Sequence, residues 1–529
     1  MRDGTKPLGA LLLALALAAC GGGHTDPVTA SQPPARGTLL QNPPEQLATF
    51  SPAALLAKLA ANTAAPVTPL DVSLAASEYL LSQGGTPVCD IAVYQIRYET
   101  VGGAGEATAA SGALMVPSGL DARCRGARPI VLYAHGTSTA RSFNIADLVG
   151  QQNAEGLFVA AFFASQGYIV VAPNYAGYDT STLPYHPYLN ADQQSKDMID
   201  ALTAARRALP AAGAPLTTDG GRLFVTGYSQ GGYVAMATHR AMQVAGMPVT
   251  ASAPMSGPYA LAAFVDAVFY GEVDGGAPVV TTLLFTAYRK SYSDTYATAA
   301  DVFEAQYAPG IDSLLPTSAT RGDLYAQGKL PQYALFSATP PGPAFTDSVT
   351  PPATLAKLAP VFALGFGAND LVRSSFRLSY LADAQANPDG GWPAPASGAA
   401  AASPGLPLRQ ALKRNDLRDW TPAAPLLLCG GSADPVVLWF NTQLMQGYWA
   451  SHPPAPAATS VLDLEAAVSA NDLYAAPKKD FGLARDLIAA DAVLHGATDG
   501  GALAVARAYH ATLVGPFCFA AVKSFFDSQ

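Results

Sequence analysis

Leu223-Phe224-Val225-Thr226 is a short apolar run that passes directly into Gly227-Tyr228-Ser229-Gln230-Gly231, after which Gly232 to Val244 has helical composition. A strand that gives way to a helix within one residue of a serine leaves little freedom of architecture. Two apolar runs precede it, Pro129 to Ala134 and Tyr168 to Ala172, and two follow, Val249 to Pro254 and Pro425 to Cys429. Runs apolar at nearly every position are what strands buried on both faces of a parallel sheet look like. Between Ala172 and Leu223 lies Asp192 to Leu209, whose apolar residues Met198, Ile199, Leu202 and Ala205 have helical spacing. Strand, helix, strand in that order predicts right-handed crossovers and an α/β fold, a mostly parallel twisted sheet flanked by helices. Val93, Ile96 and Tyr98, and then Leu114 to Val116, read as a pair of strands with Gly102-Gly103 in the connection, which predicts an antiparallel edge.

The spacing of these runs sets the domain organisation. About 170 residues separate Pro254 from Pro425, too many for a connection inside a compact domain, so residues 261–420 are expected to form an inserted, mainly helical cap. Its aromatic residues, among them Phe264, Phe269, Phe285 and Tyr288, suit a lid over an apolar pocket. The core would then comprise residues 51–260, opening with a helix through Leu55 and Leu59, and residues 421–529. Residues 21–50, rich in Gly, Pro, Ser, Thr and Gln, read as a flexible tether. Residues 1–20 read as a signal peptide, with Arg2 and Lys6 ahead of an apolar stretch too short to span a bilayer. That stretch closes on Leu17-Ala18-Ala19-Cys20, a tetrapeptide that resembles a bacterial lipobox, which implies export to the cell envelope and a lipid anchor at Cys20. An ordinary cleaved signal peptide is the alternative.

Four cysteines remain, an even number suited to an oxidising compartment. Cys89 and Cys124 flank the two antiparallel strands, where one strand begins beside the end of the next, so Cys89–Cys124 is the favoured pair and Cys429–Cys518 the remainder. Neither pair has the spacing of metal ligands, and no metal or cofactor is expected. The formal net charge is −9 and no run of basic residues stands out, so nucleic acid is an unsuitable partner.

The glycines around Ser229 point to a nucleophile elbow, because side chains at the flanking positions would collide with strand and helix. A serine hydroxyl needs a base to take its proton and a carboxylate to orient that base. Asp434, in Gly430-Gly431-Ser432-Ala433-Asp434-Pro435, lies just past the Leu426 to Cys429 run and is the expected acid. Of the histidines beyond it, His452 precedes two prolines and ends a helix. His510 stands before the closing apolar stretch Leu513 to Phe526, on what is expected to be the loop before the last helix, and is the expected base; His495 is the reserve. Two N–H donors must meet the oxyanion of a tetrahedral intermediate. One is the Gln230 amide at the helix start, and the other is placed at Thr137, in the His135-Gly136-Thr137 loop, with His135 fixing that loop.

Together these pieces resemble the secretory lipase family, of the Candida lipase A type, within the α/β-hydrolase superfamily. The matching residues are Tyr133-Ala134-His135-Gly136-Thr137, Asn174-Tyr175-Ala176-Gly177-Tyr178, His186-Pro187-Tyr188-Leu189, Asp200 with Ala204 and Arg206, the GYSQGG segment at 227–232, and Asp434-Pro435-Val436. The resemblance implies an α/β-hydrolase fold, a triad of Ser229, Asp434 and His510, a cap at 261–420, and small-molecule or lipid ester substrates cleaved through an acyl-enzyme. It departs at Asn174, where the family pattern leads one to expect Asp, and in the cap. Two rival readings remain: a serine peptidase of the same fold, of the tripeptidyl aminopeptidase kind, and a catalytically inactive envelope lipoprotein.

Overall fold

The computed structural model describes residues 35–63, 85–150, 154–212, 216–349, 357–393, 397–452 and 457–529. The expected signal peptide, the tetrapeptide that resembles a lipobox and Cys20 lie outside the described residues. The nine strands are β1 (Glu45–Phe50), β2 (Asp90–Val101), β3 (Ala107–Ser118), β4 (Gly126–Ala134), β5 (Ile169–Pro173), β6 (Thr217–Tyr228), β7 (Ala251–Met255), β8 (Leu426–Gly430) and β9 (Thr459–Asp463). They form one sheet in the order β1-β2-β3-β5-β4-β6-β7-β8-β9. The pairs from β1 to β5 are antiparallel, and from β5 through β4 to β9 every pair is parallel.

Alternation along each strand divides the core into two layers. Ile130, Leu132 and Ala134 of β4 and Leu223 and Val225 of β6 face one side, where α3 (Ala191–Ala212) and α4 (Gln230–Val244) pack. Val131, Tyr133 and Phe224 face the other, against α1 (Pro52–Thr63), α2 (Ala154–Phe162) and the last helix. The stretches Ile130 to Ala134 of β4 and Leu223 to Val225 of β6 are therefore buried on both faces, the physical reason their sequence shows no alternation.

Residues 35–50 are not a tether. Phe50 is buried, Glu45–Phe50 adds an edge strand to β2, and Gly37 and Leu40 donate backbone hydrogen bonds to Glu99 and Arg97. Composition misled here because an edge strand with one face in water needs few apolar residues. The remainder of the expected tether, residues 21–34, lies outside the described residues.

Between β7 and β8 the chain leaves the sheet and builds a helical layer that includes α5 (Leu261–Phe269), α6 (Ala277–Tyr292), α7 (Ser374–Ala386) and α8 (Pro407–Arg414). Buried ion pairs tie this layer together. Arg409 meets Asp266 and Asp383, each at 2.8 Å, and Arg418, with no exposed side-chain surface, meets Asp389 and Asp416 at 2.8 Å each. Such pairs are costly to break, since removing one partner strands a buried charge.

After β8 come α9 (Phe440–Ser451), α10 (Ala475–Leu494), α11 (Ala502–Ala508), one π turn (Tyr509–Val514) and α12 (Gly515–Asp527). The continuous helical stretch Ala502–Asp527 is long and apolar enough to cross a bilayer, yet 72% of its most apolar window is buried inside the protein. It is a core helix, and the Cys429–Cys518 bond ties it to β8. The second disulfide, Cys89–Cys124, joins the start of β2 to the segment leading into β4.

Candidate active site

The carboxyl ends of β4, β6, β7 and β8 converge, and the side chains that matter stand just past them. Ser229 lies between β6 and α4 with φ 59° and ψ −121°, a conformation disfavoured for any residue with a Cβ. It is held there from both sides: its N–H donates to Met255 O at 3.0 Å and its carbonyl accepts from Tyr233 N at 3.2 Å. The turn closes so tightly that a Cβ at Gly231 would lie 1.9 Å from Ala134 O, and one at Gly227 would lie 2.4 Å from both Ala134 O and Gly231 O. Only glycine fits at either place.

The structure brings Ser229, Asp434 and His510 together. Asp434, buried at the end of β8, accepts from His510 Nδ1 at 2.7 Å through Oδ2, and His510 Nε2 lies 2.8 Å from Ser229 Oγ. A carboxylate only accepts, so the imidazole proton sits on Nδ1 and the Nε2 lone pair faces the serine hydroxyl. The carboxylate is itself fixed. Oδ1 accepts from Val436 N at 2.9 Å and Val437 N at 3.1 Å, and Oδ2 accepts from Ser256 Oγ at 2.9 Å. The Tyr228 hydroxyl donates to the backbone carbonyl of His510, pinning that residue from the elbow side.

His510 does not sit on a loop. It occupies the π turn of the helical stretch Ala502–Asp527, a local widening that tends to occur at functional positions. His495 is exposed at the end of α10, with its Nδ1 on the Asp491 carbonyl at 3.0 Å, and His452 stacks on Tyr448 at the surface; neither approaches Ser229.

Gln230 opens α4, so its N–H has no partner within the helix. Its side chain is locked by His186. Burial lowers the His186 pKa to about 3, Nδ1 donates to Ala176 O at 3.0 Å, and Nε2 therefore accepts from Gln230 Nε2 at 2.7 Å. Thr137 lies on the loop after β4 with its hydroxyl 2.8 Å from Tyr188 Oη. Both residues line the cavity into which Ser229 and His510 open.

That cavity has a volume of about 460 Å³. Its walls are mainly apolar, with Leu261, Phe264, Val280 and Phe285 from the helical layer facing Phe158 and Phe519 from the core. Two acids interrupt them, Glu155 of α2 and Asp274 between α5 and α6; burial raises the Asp274 pKa to about 6 against the opposing Gly276 N–H. Among the described residues no cluster of histidine, cysteine or carboxylate side chains could hold a metal ion.

The supporting roles of Ser256, Tyr228 and His186 escape a reading by motif. A signal for Ser256 exists, since it follows the apolar run of β7 just as Ser229 and Asp434 follow those of β6 and β8.

Residues 156–251, from α2 to the start of β7, match the prolyl oligopeptidase family. No curated protein matches the sequence. Among solved structures, the rice cell wall degrading esterase LipA from Xanthomonas oryzae aligns over 94% of this chain and 100% of its own, with 25% identity and a TM-score of 0.64. A putative hydrolase from Legionella pneumophila aligns over 80% of this chain and 91% of its own, with 21% identity and a TM-score of 0.55. Candida antarctica lipase A is a looser likeness, 12% identical over 81% of this chain and 76% of its own, with a TM-score of 0.46. With a serine elbow at the carboxyl edge of a mixed sheet and an esterase matched along nearly its whole length, the chain has the α/β-hydrolase fold in its serine-hydrolase form.

Proposed function

We propose that this chain is an exported serine esterase that cleaves carboxylic esters through an acyl-enzyme. The observation that carries the reading is the unbroken relay from Asp434 through His510 to Ser229 at the floor of an apolar cavity. In the first half-reaction His510 Nε2 takes the hydroxyl proton while Ser229 Oγ bonds to the ester carbonyl carbon. The carbonyl oxygen gains the negative charge and is met by the N–H groups of Gln230 and Thr137. The imidazolium returns its proton to the departing alcohol as the carbon–oxygen bond breaks, leaving the acyl group on Ser229. Water repeats the sequence: His510 removes its proton, the hydroxide oxygen bonds to the acyl carbon, and Ser229 leaves with the proton. The acyl or alcohol group rests against the aromatic and aliphatic walls, in a volume typical of small-ligand sites. The likeness to an esterase over 94% of the chain supports the ester reading.

A serine peptidase of the same fold draws support from the match of residues 156–251 to the prolyl oligopeptidase family. That stretch carries the elbow, which esterases and peptidases of this fold share. Turnover of p-nitrophenyl butyrate and of peptide anilides separates the two. The expected result is ester turnover that Ser229→Ala abolishes, together with fluorophosphonate labelling at Ser229. Preference for the anilides would replace the esterase reading, and an unlabelled serine would favour the inactive lipoprotein.

The two disulfides suit an oxidising compartment and support export. Lipid attachment at Cys20 is part of the proposal; Cys20→Ser should move the protein from the membrane to the soluble fraction, and unchanged fractionation would remove the anchor from it.

A further inference from the structure

The oxyanion donor assigned to Thr137 belongs to a loop, and a loop N–H stabilises a developing charge only if its direction is set beforehand. The Thr137 N–H shares a trans peptide plane with the Gly136 carbonyl, so fixing one fixes the other in the opposite direction. His135 Nδ1 lies 2.7 Å from Gly136 O, and its Nε2 lies 3.1 Å from Asn174 O. The imidazole is fully buried and its pKa is lowered to about 4 by that burial, so it is neutral and its one proton can serve only one of these two carbonyls, of which Gly136 O is the nearer. With the proton on Nδ1, at the shorter contact, the plane is held at its carbonyl.

The preceding peptide is held by a residue that no motif singled out. Glu155, in the first turn of α2, accepts from Gly136 N at 2.9 Å and from the Tyr133 hydroxyl at 2.6 Å, both through Oε1. Burial raises the Glu155 pKa, and these two hydrogen bonds oppose the rise. Tyr133 is fully buried in β4, so the carboxylate closes the strand end onto the loop that comes after it. Gly136 lies between this carboxylate and the elbow: a Cβ there would be 3.5 Å from Glu155 Oε2 and 3.5 Å from Tyr228 O. Glu155 also lines the cavity that holds Ser229, yet the proton relay makes no use of it.

We infer that Glu155, braced by Tyr133, is a positioning residue that holds the Gly136–Thr137 peptide in register to receive the oxyanion. The inference rests on the esterase reading above. It gives this carboxylate the part of a fixed acceptor with no proton to transfer.

The test compares Glu155→Ala, Glu155→Gln and Tyr133→Phe with the wild-type full chain on p-nitrophenyl butyrate, together with inhibition by a trifluoromethyl ketone that mimics the tetrahedral adduct. Deleting an oxyanion donor outright costs about 10²–10³ in kcat, so loosening one should cost about 10–100-fold in Glu155→Ala. KM should stay within about threefold, while ketone affinity falls in step with kcat/KM. Glu155→Gln keeps an oxygen acceptor for both donors and should restore kcat to within about threefold of wild type. Tyr133→Phe, which removes one oxygen atom, should lower kcat by a smaller factor and carries the test if Glu155→Ala does not fold. Wild-type kcat in Glu155→Ala or Tyr133→Phe overturns the inference, as does Glu155→Gln no better than alanine, or a loss shared equally by KM and ketone affinity. A wild-type protein without ester turnover refutes the esterase reading instead.

Discussion

Asp434→Asn removes a charge while sparing volume, and the hydrogen bonds around the carboxylate dictate how the site must rearrange. Oδ1 faces two backbone donors, Val436 N and Val437 N, so an amide nitrogen there would set three donors against one another. The asparagine oxygen must therefore take the Oδ1 position, leaving the amide nitrogen where Oδ2 met His510 Nδ1 and Ser256 Oγ. The serine hydroxyl can rotate to accept. The imidazole cannot adjust so easily: facing a donor, it must present a lone pair at Nδ1 and carry its proton on Nε2, toward Ser229. The base is then absent from the one place it is needed. The expected result is a fall in kcat of about 10³–10⁴, or roughly 4–5.5 kcal/mol in the activation barrier. KM and Tm should stay close to wild type, because the count of hydrogen bonds is nearly preserved. Initial rates on p-nitrophenyl butyrate, normalised by fluorophosphonate titration of active protein, measure this. A kcat within tenfold of wild type would refute the reasoning and direct attention to Asp274, a buried acid that lines the cavity.

Two further outcomes concern stability. Glu272 is 2% exposed, with neither carboxyl oxygen hydrogen-bonded, and burial pushes its pKa from 4.5 to about 8. The folded protein thus binds a proton that the unfolded chain gives up, so the contribution is full below about pH 4.5 and lost as pH rises through about 8. At about 1.4 kcal/mol per pH unit this amounts to roughly 4–5 kcal/mol, and Glu272→Gln should flatten the decline of Tm across that window; parallel Tm curves would count against it. The disulfides close segments of 89 and 35 residues, which chain entropy values at about 4.5 and about 4 kcal/mol. Alanine at both Cys429 and Cys518 should lower kcat as well as Tm, since that bond joins the strand before Asp434 to the helix after His510. Alanine at both Cys89 and Cys124 should lower Tm alone, and equal kcat in the two variants would deny the first bond a part in alignment.

What could be read ahead of the structure was whatever burial on two faces writes into sequence. β4 to β8 announce themselves as apolar runs, and Ser229 and Asp434 are legible from standing at their ends. β1, Glu-Gln-Leu-Ala-Thr-Phe, is mostly exposed and carries no such mark, and β9, Thr-Ser-Val-Leu-Asp, is a short opposite edge. α10 is a long helix with only Phe481 and Ala484 buried, so its pattern shows little of an apolar face. Glu155, Ser256 and His186 act on Gly136, Asp434 and Gln230, each at least 19 residues away in the chain, in contacts that only the folded sheet creates.

The wide turn at Tyr509–Val514 has a geometric consequence for the base. On an unbroken α-helix, position 510 would share a stripe with Val514, Phe517, Cys518 and Ala521, all buried against the sheet. An imidazole there would be driven into apolar packing. Spending an extra residue in one turn rotates the upstream segment relative to that stripe, so a single rod can press one flank on the core and aim a polar ring sideways at the sheet edge.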